Sequence, residues 1–134
     1  MSEIALDTNI LLYRHNRPYD NAQRAVAYKL LSETPVISSQ VISEYLNVMQ
    51  RRFKVEKRKL IRACTIWLQD CHVHPVTAST IERADVLITR YDFQLFDGII
   101  VASALEVGCG ILYSEDMQDG LIVEKTLRIV NPFK

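Results

Sequence analysis

The chain has 134 residues, 49% hydrophobic and 24% charged, a balance that supports one ordinary core and excludes a disordered or low-complexity chain. Sixteen Lys and Arg face sixteen Asp and Glu, for a formal net charge of +0. A whole-molecule basic field, the usual footprint of a nucleic-acid binder, is therefore absent, and contact with RNA would need positive charge gathered on one face.

The N-terminal residues hold neither a basic segment nor a long apolar run. The apolar stretch over residues 98–113 is broken by Glu106 and two glycines. Both features lead us to expect a soluble, cytoplasmic chain without secretory signal or membrane span. Residues 3–7 read as a short buried strand. Asp20, three residues before Gln23, has the form of a capping box that opens a helix to about residue 33. Pro35 breaks the pattern, and residues 36–38 form a second strand. From residue 39 to about 53, Val41, Ile42, Tyr45, Leu46, Val48 and Met49 recur at helical spacing. The next helix carries Leu60, Ala63, Cys64, Trp67 and Leu68 on one face. Residues 73–76 read as the third strand, and Ser79 with Glu82 as a second capping box, opening a helix to about residue 89. Residues 99–107 are a mostly apolar, buried helix that Gly108 stops in the left-handed position. Residues 111–113 and 127–130 are the last strands. The alternation predicts one α/β domain over residues 1–134, with a mainly parallel sheet of about five strands and helices on both faces.

Three cysteines, Cys64, Cys71 and Cys109, form no C-x-x-C pair, so no disulfide framework is expected. Cys71, His72 and His74 offer at most three zinc ligands, and the two histidines project together on a strand, away from Cys71. We read them as ordinary strand residues beside a buried thiol. The four glycines form no phosphate-cradling loop, which argues against a nucleotide-cofactor enzyme.

In parallel sheets, ligands bind beyond the carboxyl ends of the strands. Asp7 and Asp116, each just past a strand, are candidates for one crevice. Each acid has a structural reading when taken alone. Asp7 can cap the following helix, Asp97 can favour the start of an apolar helix, and Asp116 can simply be solvated in a polar turn. Glu44 is more telling. Val41 and Val48 flank it on one side, and Gln40, Asn47 and Arg51 on the other, so it stands at the border of the buried stripe. A carboxylate there needs an arginine or a bound cation. If these acids meet, each pair at about 5 Å and an effective dielectric near 20 costs on the order of 3 kcal/mol. Protonation or a divalent cation must relieve that repulsion, and an all-oxygen donor set suits Mg²⁺, with Mn²⁺ as a substitute. A metal so held can acidify water and stabilise charge on a phosphoryl group, which is the chemistry of phosphodiester hydrolysis.

The sequence resembles the PIN-domain family, and within it the VapC-type toxins of toxin–antitoxin pairs. The resemblance spans the chain. It rests on Leu6-Asp7-Thr8-Asn9, on Ser39 through Glu44-Tyr45, and on Tyr91-Asp92-Phe93-Gln94-Leu95-Phe96-Asp97 running on to Ala104. Ser114-Glu115-Asp116 and the closing Val130-Asn131-Pro132-Phe133 complete it. It implies a Mg²⁺-dependent endoribonuclease that acts on RNA, is inhibited by a cognate antitoxin protein and forms a homodimer. Asp7, Glu44, Asp97 and Asp116 would be the catalytic, metal-binding acids, with Asp119 a candidate outer member. Thr8, Asn9 and Ser114 would hydrogen-bond the acids and hold their orientation. Glu115 adds a carboxylate whose direction stays open.

Arg51, Arg52, Lys54, Lys57, Arg58, Lys59 and Arg62 crowd the junction of two helices. They form either a solvated face or a track for a phosphate backbone, with Arg51, Arg52, Lys54, Arg58 and Lys59 the candidate RNA contacts. Leu30, Leu31 and Tyr45 are candidates for a partner surface. Two other readings compete: a catalytically silent PIN-like RNA-binding or interaction module, and an aspartyl-phosphate α/β protein. The second needs paired acids or an Asp-x-Asp after the first strand, which Asp7-Thr8-Asn9 does not supply.

Overall fold

In the computed structural model, which describes residues 3–14 and 21–134, the apolar tripeptide Ile4–Leu6 forms β1. The capping expectation at Asp20 lies outside the described residues. Five further strands join β1 in one sheet: β2 (Val36–Ser38), β3 (His72–His74), β4 (Ile111–Tyr113), β5 (Ile122–Val123) and β6 (Leu127–Val130). Their order is β3-β2-β1-β4-β6-β5, and every pairing is parallel except β5 with β6. Central strands of a parallel sheet are covered on both faces, which explains their uninterrupted apolar runs. Leu6, Ile37, Leu112 and Ile129 are accordingly all buried.

Among the described residues six α-helices flank the sheet: α1 (Thr8–Arg14), α2 (Asn21–Leu31), α3 (Ser39–Arg51), α4 (Lys57–Trp67), α5 (Ala78–Tyr91) and α6 (Leu95–Val107). Among the described residues, no helix is long and apolar enough to cross a membrane. α6 buries a continuous run from Gly98 to Leu105 and packs on α5, α3 and β2. It ends where Gly108, at φ 87°, takes the left-handed conformation that a side chain would strain. α3 begins at Ser38, whose hydroxyl accepts from the Val41 N–H at 3.1 Å.

Several sequence expectations are corrected. The sheet has six strands rather than about five. The extra one, β5, is two residues long and pairs through a tight turn with positive φ at Glu124 and Lys125, not at the glycine or asparagine that usually marks a hairpin. The box that opens α5 is Thr77 with Thr80, not Ser79 with Glu82: the Thr77 N–H donates to the Thr80 hydroxyl at 3.1 Å. Thr80 is fully buried and also donates to Glu106 at 2.6 Å, so tertiary contact chose between two adjacent candidates. Ala63 is exposed, and only Leu60, Cys64 and Trp67 of α4 are buried. Leu30 and Tyr45 are core residues, not a partner surface; Tyr45 packs edge-on against Trp67 with ring centroids 5.4 Å apart. Leu31 is half-buried against the same core.

Candidate active site

The switch in strand order sets the site. From β1 the chain leaves through α1 and α2 to β2 on one side, while β4 pairs on the other. A crevice therefore opens beyond the carboxyl ends of β1 and β4, where such sheets bind ligands. Leu6 is in register with Tyr113, so the next residues, Asp7 and Ser114, leave the sheet side by side. The Asp7 N–H donates to the Tyr113 carbonyl at 2.9 Å and fixes that position.

Asp7 is 5% exposed. Its Oδ1 accepts from the Thr8 N–H and its Oδ2 from the Ser114 hydroxyl, both at 2.7 Å. Its main-chain carbonyl accepts from the Ile10 N–H at 3.2 Å, so the residue also starts α1. The capping reading and the site reading describe the same carboxylate. Ser114 is fully buried and in turn accepts from the Met117 N–H at 3.2 Å, which turns the chain toward Asp116.

The other acids arrive from three more segments. Glu44, half-buried on α3, accepts at Oε2 from the Thr8 hydroxyl at 2.7 Å. Asp116 accepts at Oδ2 from the Asn9 side-chain amide. Asp97 sits in the first turn of α6. All four carboxylates line one cleft of about 280 Å³, together with Thr8, Asn9, Leu12, Asn47, Val48 and Arg52. The lining is drawn from α1, α3, the loop after β4 and the start of α6.

Burial pushes the Asp7 carboxyl up to about 6. The Ser114 and Thr8 hydrogen bonds oppose that rise, and the charges of Asp97 and Glu44 add to it. Asp97 is also raised, by burial and then by Glu44 and Asp116. The repulsion expected from the sequence is thus present. Among the described residues no lysine, arginine or histidine forms an ion pair with any of the four acids.

The donor chemistry fits a hard divalent cation, since every side chain that could ligate here offers oxygen. Among the described residues, however, no three His, Cys, Asp or Glu side chains draw close enough to make a closed metal cage. The reason is visible in the hydrogen bonds: Asp7, Glu44 and Asp116 are each held by a different donor, along separate parts of the cleft wall. Mg²⁺ tolerates this. It keeps several waters and takes one or two carboxylates plus substrate oxygens.

Other candidates lie elsewhere. Asp119 accepts from the Asn131 N–H at 2.8 Å, which pins the chain end to the turn, and it does not line the cleft. Glu115 turns away and accepts from the Tyr13 hydroxyl at 3.0 Å. Arg51, Arg52, Lys54, Arg58 and Lys59 are all exposed, but among them only Arg52 lines the cleft. His72 and His74 face Glu3 and Glu106, at 3.5 and 3.1 Å. Our sequence reading did not pick out Asn47, Val48 and Leu12. Helical spacing from Glu44, at i+3, i+4 and i+8, would have found Asn47, Val48 and Arg52 together.

A mostly parallel sheet with carboxylates gathered beyond its switch point places the chain among α/β proteins whose site lies at the carboxyl ends of the strands. The family profile described as PIN domain matches residues 4–118, and the chain belongs to that family. It is structurally close to VapC-type toxins of toxin–antitoxin systems. One similar structure is the Mycobacterium tuberculosis toxin VapC20, described as cleaving the sarcin–ricin loop. It is 25% identical, with a TM-score of 0.67, and the match covers 85% of this chain and 90% of that one. A toxin–antitoxin complex from Klebsiella pneumoniae is 20% identical over 98% of both chains, with a TM-score of 0.70. FitAcB from Neisseria gonorrhoeae is 16% identical over 97% of this chain and 98% of that one, also at 0.70. The last two likenesses are of fold alone. Comparison with curated proteins returns no matching relative.

Proposed function

We propose that this chain is a metal-dependent endoribonuclease acting in the cytoplasm, the toxin of a toxin–antitoxin pair, with Mg²⁺ as cofactor and Mn²⁺ able to replace it. One observation carries the reading: Asp7, Glu44, Asp97 and Asp116, from four separate segments, line a single cleft, and among the described residues no cationic side chain is paired to them. Membership of the PIN-domain family supports nuclease chemistry, and the likeness to a toxin described as cleaving the sarcin–ricin loop supports RNA as the substrate. The toxin–antitoxin complexes among the similar structures support an inhibitory protein partner. A homodimer follows from the family likeness.

When bound, the cation would neutralise the acids, polarise the scissile phosphate and acidify a water beside it. Asp7 would be the principal ligand. Each of its oxygens accepts one hydrogen bond here, which leaves lone pairs for a metal while Ser114 and the Thr8 N–H hold the carboxylate still. Asp97 and Asp116 would complete the set of acids that hold the cation. Glu44, oriented by the Thr8 hydroxyl, would ligate or accept a proton from water.

The test is purified, partner-free protein on total RNA, with Mg²⁺ and with chelator, and sequencing of the ends produced. Cleavage that needs Mg²⁺ and disappears in Asp7→Asn is expected, with a drop of at least about a hundredfold for loss of a ligand. RNA left intact by the unmodified chain in both Mg²⁺ and Mn²⁺ would return the protein to the silent-module reading.

A further inference from the structure

The cleft does not end at the acids. Glu44, Asn47 and Val48 of α3 and Arg52, which caps it, all line the cleft, and eight residues separate Glu44 from Arg52 by about 12 Å along the helix axis. Leu12 of α1 lines it too. Besides the carboxylates, the lining thus offers the apolar Leu12 and Val48, the Asn47 amide and a guanidinium. Arg52 caps the end of α3 through its backbone, with its N–H donating to the Val48 carbonyl at 2.8 Å. Among the described residues its side chain makes no ion pair, and it is the only basic one of them that lines the cleft. A guanidinium kept off four nearby carboxylates is available to another anion. Its planar fork matches phosphate oxygens.

We propose that this strip binds the nucleotide next to the scissile phosphate. The outer phosphate of that nucleotide lies on Arg52, its ribose lies against Leu12 and Val48, and the Asn47 amide hydrogen-bonds its base edge. The proposal rests on the nuclease reading, because the acids define where the scissile phosphate lies. Arg52 stands more than two helical turns from Glu44, so it holds a neighbouring phosphate and contributes to binding rather than to the chemical step. The remaining basic residues of the junction are off the cleft and add only diffuse attraction.

Two measurements on the full chain test it. Binding of a fluorescent single-stranded RNA is followed in EDTA, where metal-dependent cleavage does not run, over a series of salt concentrations. Arg52→Ala is expected to weaken binding about tenfold and to reduce the log–log salt slope by about 0.7, the value for one phosphate contact on a single strand. Arg52→Lys should recover the slope, since it keeps the charge, but only part of the affinity. Lys125→Ala, in an exposed turn away from the cleft, should change neither. In Mg²⁺, Arg52→Ala should raise KM about tenfold with kcat within about threefold, and Asn47→Ala should broaden the base preference on one side of the cut. RNA that does not bind the unmodified chain, a salt slope unmoved by Arg52→Ala, or a loss confined to kcat would each overturn the subsite. Failure of the unmodified chain to cleave in Mg²⁺ would instead overturn the nuclease reading, whatever the salt slope shows.

Discussion

Asp7 is pulled in opposite directions by its surroundings. Burial and two neighbouring carboxylates favour the protonated form, while the Ser114 hydroxyl and the Thr8 N–H favour the charged one. Ser114 is therefore more than a support. Its hydroxyl is the larger of the two influences that keep Asp7 ionisable near neutrality, and it also receives the Met117 N–H that carries the chain toward Asp116. In Ser114→Ala the Asp7 carboxyl should titrate above its present value of about 6, and Mg²⁺ affinity should fall by about 10–100-fold with the fold retained. Calorimetric titration with Mg²⁺ checks this; affinity unchanged within about twofold would remove Ser114 from the site. Thr8 also holds Glu44 through its hydroxyl, and the Asn9 amide holds Asp116, so two consecutive residues orient acids from three different segments.

The placement of Asp97 depends on how α6 meets α5. A Cβ at Gly98 would lie 2.5 Å from Ile88 Cγ1 and 2.8 Å from its Cδ1, inside any real contact. The absence of a side chain at Gly98 lets the two helices approach, with Asp97 beside it in the lining of the cleft. Two effects compete in Gly98→Ala. Alanine inside a helix gains about 1 kcal/mol in propensity over glycine. Overpacking a closely fitted contact costs about 1–3 kcal/mol, and the clash involves the inner part of the Ile88 side chain as well as its free end. The clash should win. We expect a net loss of about 1–2 kcal/mol in urea denaturation, a larger proportional loss of RNA cleavage, and recovery of stability when Ile88→Ala is added. Gly98→Ala as stable as the unmodified chain would show that α5 and α6 can separate without cost.

Taken over the molecule, the buried acids make stability depend on pH and on metal. Asp7 has its carboxyl raised from 3.8 to about 6 on folding. The folded state therefore holds that proton more tightly, and the stabilisation is complete below the unfolded value and lost as pH rises through about 6. Two pKa units correspond to about 3 kcal/mol, an upper figure for this group. Asp97 is shifted the same way and adds to it. The lowered Glu106 and Glu124 act in the opposite sense, so the contribution of Asp7 is read as the difference between the unmodified chain and Asp7→Asn. In chelator, Asp7→Asn should be the more stable of the two at pH 7.5, with the difference shrinking or reversing by pH 4. Added Mg²⁺ should raise the Tm of the unmodified chain more at pH 7.5 than at pH 5, because it binds the ionised acids. An equal rise at both pH values would mean the cation does not sit on these groups.

The order of most strands and helices and the parallel sheet were legible in the residues themselves, and the four acids expected to meet do line one cleft. Apolar runs at β1, β2 and β4 and helical spacing in α3 and α6 are local signals, and local signals survive without coordinates. What escaped was settled by contacts between segments distant in the chain. Thr77 rather than Ser79 opens α5 because Thr80 is buried against Glu106, and Tyr45 is core because Trp67 covers it. β5 is formed by a turn with none of the usual residues. Of the five basic residues singled out, the fold alone selects Arg52 to line the cleft, since exposure is shared by all of them while position along the face of Glu44 is not. A carboxylate's identity is written in the chain. Its neighbours, its burial and hence its proton affinity are properties of the folded arrangement, because electrostatic energy depends on distances that only packing sets.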